Sequence, residues 1–327
     1  LFGRIKIMKI VKPTFYKDFK CIAGACPDSC CQGWEVDADV ESLEYYKTLD
    51  SSLEIKQRID RVLSKDEFDN TIFTLAAKKR CPFLNDENLC DMHIAIGGEH
   101  TPYTCRTFPR FIYDFGGTRE IGVSFSCPVA SDMMYDLPSF EFEEEVTDEL
   151  PSLNDIDGML YYTLIKARKE AYAIVKDKSQ PISQRLSNLL DFALDLQSQI
   201  DDYSDGDDES IEFFEVFENP ELINPQWEAK VENRVVKPVS NVQANENIAM
   251  YFLYKYFLQS VYDLDVLSKA KMAVVGVLVN TYFGEDSWTI HLWSKETEHS
   301  QYNMDRYKNL LKTAKCLSVE ELKKHLK

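Results

Sequence analysis

The chain has 327 residues and a formal net charge of −18, from 37 basic and 55 acidic residues. Hydrophobic residues make up 44% and aromatic residues 12%, which is ordinary for a folded protein and excludes wholesale disorder. A surface of this charge repels phosphate backbones and anionic lipid headgroups, so we expect no nucleic acid and no membrane among its partners. It favours encounter with basic molecules, including lysine-bearing protein segments.

The start of the chain shows no export signal. Residues 1–7 carry positive charge but no apolar core of secretory length and no small-residue cleavage site, and Met8 is a candidate native start. The longest apolar stretch, 272–283, is too short to cross a bilayer and predicts a buried helix. We therefore expect a cytoplasmic protein.

Cysteine is concentrated in the first part of the chain, and a single cysteine, Cys316, follows residue 130. The others are Cys21, Cys26, Cys30, Cys31, Cys81, Cys90, Cys105 and Cys127. Apolar periodicity predicts amphipathic helices at 40–49 and 53–63 and short strands at 71–75, 111–115 and 120–125. Gly116 and Gly117 are typical of a hairpin turn between the last two strands. Residues 8–137 are thus predicted to form one cysteine-rich, metal-binding unit.

An acidic connector bounded by prolines follows at 137–151 and predicts a domain boundary. Beyond it, a period of 3.6 residues predicts helices at 159–175, 182–200, 245–263, 266–282, 301–314 and 319–326. The predicted fold class is therefore mainly α with a small β component. A helical bundle formed by residues 152–327 is expected to pack on the cysteine-rich unit.

One acidic segment has two interpretations. No basic residue occurs between Arg185 and Lys230, while aspartate and glutamate accumulate from 201 to 218. Such a run is usually a solvated loop and helix face. The alternative is a docking surface for a cationic partner.

The cysteine pattern favours a metal centre. Disulfides are the weakest explanation, because a reducing compartment breaks them and a chain of this size folds without covalent cross-links. Zinc sites usually show paired knuckles, and only Cys21 and Cys26 resemble one, whereas iron–sulfur clusters accept looser spacing. Cys81 and Cys127 each precede a proline, as is common around clusters. The sequence thus favours an iron–sulfur cluster, with redox thiols, mixed sites or zinc as alternatives.

Neighbouring residues bear on the ligand assignment. Cys30 and Cys31 are adjacent, and adjacent side chains diverge, so we expect the two sulfurs to serve different sites. The eight thiols suffice for two four-thiolate sites or for one cluster with buried structural thiols. His93 and His100 are alternative ligands or surface residues. Cations flank the cysteines and would stabilise thiolates: Lys78, Lys79, Arg80, Arg106 and Arg110.

Several strings resemble those of the flagellin lysine N-methylases, a bacterial family of cysteine-rich iron–sulfur proteins with a C-x3-CC cluster. They are FKC at 19–21, CPDSCCQGW at 26–34 with Asp37, CPFL at 81–84 with LC at 89–90, TCRTFPR at 104–110 and SCP at 126–128. A later string, EHS at 298–300 with Asn303, resembles the family's C-terminal region. The resemblance is specific over the first 130 residues.

The resemblance implies methyl transfer from S-adenosylmethionine to lysine ε-amino groups of flagellin or another lysine-bearing protein, with a 4Fe-4S cluster involved. The sequence shows neither a G-x-G-x-x-G turn nor a C-x3-C-x2-C motif, so the methyl-donor site is unconventional and its residues are unassigned. Methylation requires a neutral amine, and Glu298 with His299 is the candidate catalytic pair for removing its proton. A surface pair at the start of the 301–314 helix is the competing interpretation. The alternative function is a non-enzymatic iron–sulfur or zinc-binding protein on the same cysteine scaffold.

Overall fold

A computed structural model describes residues 8–66, 69–150 and 155–327, and within these ranges the protein is mainly helical. The strands are β1 (Met8–Pro13), β2 (Val36–Asp37), β3 (Leu63–Lys65), β4 (Thr71–Phe73), β5 (Arg110–Phe115), β6 (Thr118–Val123) and β7 (Phe142–Thr147). The helices before residue 150 are α1 (Val40–Thr48), α2 (Glu54–Val62), α3 (Asp91–Ile96), α4 (Tyr103–Thr107) and α5 (Pro128–Tyr135). Residues 1–7, Pro151 and the predicted start of the helical unit at 152 lie outside the described residues.

The remaining helices form the larger part of the molecule. They are α6 (Gly158–Lys176), α7 (Ile182–Ile200), α8 (Gln226–Glu232), α9 (Val242–Tyr256), α10 (Ser260–Asp263), α11 (Val266–Phe283), α12 (Ser287–Glu298), α13 (Gln301–Thr313) and α14 (Val319–His325). The mainly helical fold class with a small β component is confirmed at this level.

The larger sheet has the strand order β5-β6-β1-β7. Strand β1 runs parallel to β6 and antiparallel to β7. Strands β5 and β6 form the predicted hairpin, in which Phe115 pairs with Thr118 across the two glycines. Gly116 has a φ of 61°, a value that glycine adopts at little cost. The hairpin prediction is therefore confirmed.

The acidic connector contains a strand that sequence analysis does not predict. Residues of β7 pair along the whole length of β1, from Met8 with Thr147 to Pro13 with Phe142. Two lysines of β1 meet the acidic strand through ion pairs, Lys9 with Glu144 and Lys12 with Glu145. The run of glutamates is thus the charged face of an edge strand, and its charges discourage pairing with another chain.

A second, smaller sheet and core lie within the cysteine-rich region. Its strand order is β2-β4-β3, and both pairings are antiparallel. Helices α1 and α2 bury Tyr46, Ile55 and Ile59 in a small cluster with Phe73 and Phe83. Asp39 caps α1 by accepting a hydrogen bond from the amide of Ser42. The two predicted helices and the strand at 71–75 are confirmed, with slightly shorter bounds.

The main core lies between the C-terminal helices. Helix α11 is buried along its whole length, against α7 on one side and α9 on another. Among the described residues it is the one helix with the length and mean hydropathy of a membrane span, and it is fully enclosed by the fold. The prediction of a buried helix in this segment is confirmed. The same core includes residues of the larger sheet and α5, such as Val123 and Met134.

One expectation for the C-terminal half is wrong, and one helix there is not predicted. The helix expected at 245–263 ends at Tyr256 and continues as a short 3-10 turn, Phe257–Gln259, followed by α10. Helix α12 is not predicted at all, because it is buried over most of its length and therefore lacks a one-sided apolar pattern. This omission matters because α12 carries His291, Lys295 and Glu298, which belong to the polar clusters described next.

Candidate functional site

The eight N-terminal thiols lie in two neighbourhoods joined by the Cys30–Cys31 pair. Cys31 lies within electrostatic range of three other thiols, Cys81, Cys90 and Cys105. Cys127 interacts in the same way with Cys21 and Cys26. The Cys30 thiol donates a hydrogen bond to Cys31 and also interacts with Cys105 of the first group and Cys21 of the second. The adjacent sulfurs are therefore neighbours, although their further thiol contacts differ.

Backbone amides point at several of the thiols. Cys90 caps α3 and accepts a hydrogen bond from the amide of His93, with 3.5 Å between nitrogen and sulfur. Cys21 accepts from the amide of Ala23, with 3.4 Å between nitrogen and sulfur. Cys127 precedes α5 without a capping hydrogen bond to its thiol, and burial raises its pKa to about 11. Amide donors of this kind stabilise a thiolate, the form that binds metals.

The Cys30–Cys31 pair holds one thiolate more readily than the other. The hydrogen bond from Cys30 holds the pKa of Cys31 below its ordinary value, against the effect of burial. The Arg80 guanidinium and the Lys295 ammonium act in the same direction. Arg80 is thus a flanking cation that favours the thiolate form of Cys31. Arg106 instead pairs with Glu41, and Arg110 lies over the ring of Phe19.

The donor chemistry of this region suits a soft metal or a cluster, because it supplies buried thiols with amide donors and a cation. Within residues 8–66, 69–150 and 155–327, no three Cys, His, Asp or Glu side chains converge on one point at ligating distance. All nine cysteines are free thiols. The His100 ring stacks on Tyr45 at 3.6 Å between centroids, which accounts for this side chain without a metal.

Asp28, in the loop between Cys26 and Cys30, connects the cysteines to α12. Its carboxylate accepts hydrogen bonds from Lys295 Nζ at 2.6 Å and from the side-chain nitrogen Nδ2 of Asn224 at 2.9 Å. His291 Nε2 lies 2.8 Å from the same carboxylate. Burial raises the pKa of Asp28, but His291 and Lys295 outweigh it and lower the pKa to about 2. A charged, buried clamp therefore fixes the cysteine loop against the helix.

A second polar cluster surrounds Glu298 at the end of α12. Lys255 Nζ donates to Glu298 Oε2 at 2.6 Å, Tyr256 donates to Oε1 at 2.8 Å, and Ser124 donates to Oε2 at 2.5 Å. The Tyr251 hydroxyl donates to Oε1 at 3.2 Å. Burial raises the pKa of Glu298, but Lys255 and the hydroxyl donors outweigh it and hold the pKa below its ordinary value. Glu298 is thus a buried, ionised carboxylate.

His299 adjoins this cluster and faces the cysteine-rich region. Its ring stacks on Trp34 with 4.4 Å between centroids, and Phe108 lies 5.3 Å away. His299 Nε2 is 2.7 Å from Ser126 Oγ. Burial lowers the pKa of His299 to about 4, so the ring is neutral at neutral pH. A neutral imidazole beside an aromatic wall is suited to accept a proton.

The structure brings Glu298 and His299 together with residues that sequence analysis misses. The pair ends α12, and Ser300 caps the following helix α13, so the interpretation of a surface pair at a helix start is wrong. The missed residues are Ser124, Ser126, Tyr251, Lys255 and Tyr256. Tyr251 and Lys255 are four residues apart on α9, a spacing that places them on one helix face, but only their polarity in the apolar second half of that helix hints at a site.

Most acidic side chains from 201 to 218 are exposed, as expected of a solvated loop and helix face, and a few are also engaged within the fold. Asp205 pairs with Lys271 and accepts from the amide of Val319, and Glu209 pairs with Lys315. Glu212 and Glu215 form a capping box. The segment is therefore mainly a solvated face, in which Asp205 and Glu209 also pair with lysines of the C-terminal part of the chain.

Comparisons with known proteins give three distant relatives. The chain is 25% identical over 137 residues to the flagellar biosynthetic protein FliU of Salmonella muenchen, and this match covers 41% of the chain and 81% of the relative. It is 26% identical over 145 residues to the lysine-N-methylases of Salmonella choleraesuis and Salmonella typhimurium, which covers 43% of the chain. The match spans 36% of the length of each methylase, about a third.

Neither of the other comparisons adds a relative. No protein-family model matches the chain, and no solved structure matches it. The similarity is therefore to lysine-N-methylases and a flagellar biosynthetic protein, over less than half of this chain.

Proposed function

We propose that the protein is a lysine N-methylase that acts in the cytoplasm on flagellin or another lysine-bearing protein, with S-adenosylmethionine as the methyl donor. The observation that carries the proposal is the match to two lysine-N-methylases and to a flagellar biosynthetic protein. The buried cluster around Glu298 and His299 supports it, because methyl transfer to lysine needs a group that removes the ammonium proton.

The chain's own residues account for the proton step. A lysine ε-ammonium is a cation, and the rings of Trp34 and Phe108 beside His299 offer aromatic faces that attract cations. Neutral His299 takes one proton from the ammonium, and the electron pair of the broken N–H bond stays on nitrogen. The freed pair attacks the methyl carbon as the carbon–sulfur bond of the sulfonium donor breaks.

An iron–sulfur cluster of the 4Fe-4S type belongs to the same proposal. Its four ligands would be a set whose thiols lie within electrostatic range of one another, Cys31, Cys81, Cys90 and Cys105. When bound, a cluster supplies a structural anchor or an electron-transfer centre. The second thiol neighbourhood, Cys21, Cys26, Cys30 and Cys127, would hold a further metal, with zinc as the alternative in either place.

One experiment tests the enzyme assignment. Protein purified without oxygen is analysed for iron, sulfide and zinc, and then incubated with flagellin and methyl-labelled S-adenosylmethionine. We expect labelled lysines by mass spectrometry, and a loss of at least about 100-fold in His299→Gln. The matched control is His325→Gln, since His325 ends α14 against Phe213 and Tyr282, outside the cysteine-rich region and the Glu298 cluster. Fully metal-loaded protein that leaves every flagellin lysine unlabelled would refute the assignment.

A second candidate is a non-enzymatic metal-binding protein of the flagellar system. It is favoured by the match to FliU, whose name describes flagellar biosynthesis without a reaction and whose length the match covers to 81%. This candidate predicts bound metal and flagellin binding without labelled lysine. A pull-down of flagellin from the same incubation separates the two functions.

A further inference from the structure

A chain of hydroxyl groups links His299 to the Glu298 carboxylate. Ser124 Oγ donates to Glu298 Oε2 at 2.5 Å, and Ser126 Oγ donates to Ser124 Oγ at 2.9 Å. His299 Nε2 lies 2.7 Å from Ser126 Oγ. Both serines are buried in the short segment between β6 and α5. Three consecutive short hydrogen bonds therefore join the imidazole to the ionised carboxylate.

The direction of each hydrogen bond in this chain is determined. An ionised carboxylate only accepts, so the single hydroxyl proton of Ser124 is used on Glu298. Ser124 Oγ can then only accept, and the Ser126 hydroxyl at 2.9 Å is its closest donor, ahead of the Tyr251 hydroxyl at 3.1 Å and the backbone amide of Ser126 at 3.2 Å. The Ser126 hydroxyl proton is thereby used on Ser124. Ser126 Oγ must accept from His299, and the proton of that bond is carried by Nε2. The charge of Glu298 thus decides which ring nitrogen of His299 carries the proton, through the two serine hydroxyls.

The opposite ring orientation is disfavoured by packing. The His299 ring lies nearly flat on Trp34, with 15° between the planes, so only a 180° flip preserves the stack. That flip would turn a carbon toward Ser126 and leave a buried hydroxyl without its donor, which is costly. Stacking and hydrogen bonding therefore select one ring orientation.

We propose that Ser124 and Ser126 are positioning residues that hold neutral His299 with its proton on Nε2, which leaves Nδ1 as the proton acceptor of the site. This inference rests on the proposed function, because the proton it receives is that of the substrate ammonium. Nδ1 gains a proton, one ammonium N–H bond breaks, and the imidazolium that forms is stabilised by Glu298 through the two hydroxyls. Lys255, which pairs with Glu298, keeps the carboxylate ionised throughout.

Nuclear magnetic resonance tests the tautomer without any reaction. Protein labelled with nitrogen-15 in histidine is recorded at pH 8, and the His299 signals are assigned by their loss in His299→Gln. We expect a protonated Nε2 and an unprotonated Nδ1. In Ser124→Ala the Ser126 hydroxyl is free to donate to the ring, so the ratio of tautomers should shift toward protonated Nδ1 by roughly tenfold.

Matched variants make the outcome decisive. Ser126→Thr keeps the hydroxyl and should retain the wild-type tautomer, whereas Ser126→Ala should lose the preference. A wild-type ring protonated on Nδ1, or a tautomer ratio unchanged in both alanine variants, overturns the proposal. Absence of methyl transfer in protein that shows the expected tautomer would refute the proposed function and leave this inference standing.

Discussion

The two cores of the molecule differ in what holds them together. The main core buries long helices such as α9 and α11 and includes the ion pair of Glu120 with Arg168. Among the described residues, the small core of the cysteine-rich region has nine that are buried and hydrophobic, including Cys81, and it is bordered by Cys31 and Cys90. A core that small contributes little hydrophobic free energy, so the region depends more on other links. The thiols and the Asp28 clamp are the links that the structure supplies.

Removal of the proposed metal is expected to have the largest effect, and to destabilise the small core without the main core. Chelation of reduced, metal-loaded protein should raise amide hydrogen exchange in 31–105 by at least about 100-fold while α9 and α11 stay protected, since structural metal binding contributes several kcal/mol. Cys81→Ser should reproduce the effect. Cys316→Ser, which lies outside the cysteine-rich region, serves as the control. Equal deprotection of both cores would contradict the contrast.

Breaking the buried ion pair should destabilise the main core instead. Arg168 donates to Glu120 at 2.8 Å and to the carbonyl of Tyr254 at 3.2 Å, so Glu120→Gln leaves a buried guanidinium without its counter-charge. We expect a loss of about 3–5 kcal/mol in the free energy of unfolding, measured by urea denaturation. Arg119→Met, in the half-exposed pair with Asp114, should cost about 1 kcal/mol or less. Similar costs for both variants would show that burial is not the cause.

The Asp28 clamp tests how the two regions are joined. Asp28→Asn removes the charge that Lys295 and His291 face, and Lys295 is itself buried. We expect a cost of about 3 kcal/mol and faster exchange in both the cysteine loop and α12. If exchange rises in the loop alone, the clamp does not couple the two regions.

The smallest expected effect is a pH dependence of stability from His299. Its pKa in the folded protein is about 4, below the ordinary value of 6.5, so the unfolded chain binds the proton more tightly. Stability is therefore lost as the pH falls from 6.5 toward 4, by about 1 kcal/mol at pH 5.5 and about 3 kcal/mol in full. In urea denaturation, the free energy of unfolding should differ less between pH 7.5 and pH 5.5 in His299→Gln than in the wild-type protein. An unchanged difference would contradict the burial of a neutral ring.

The local sequence pattern gave correct predictions where one face of a helix or strand is buried and the other is exposed to solvent. Helix α7 lies at 182–200 as predicted, and the hairpin at Gly116 follows from its turn residues. Helix α12 was missed because it is buried nearly all round, and β7 was missed because its glutamates look like a linker until β1 supplies paired lysines. In each case the partner surface, which local sequence does not contain, decides the structure.

The sequence by itself determined the concentration of thiols, the helical character of the second half and the candidate pair Glu298 and His299. Only the tertiary structure decided that Ser124, 174 residues from Glu298, donates to its carboxylate, and that Lys255 neutralises it. The physical reason is that a polar side chain has no fixed role until burial removes water as its partner. The residues that the fold then places within hydrogen-bonding distance set its charge and its protonation.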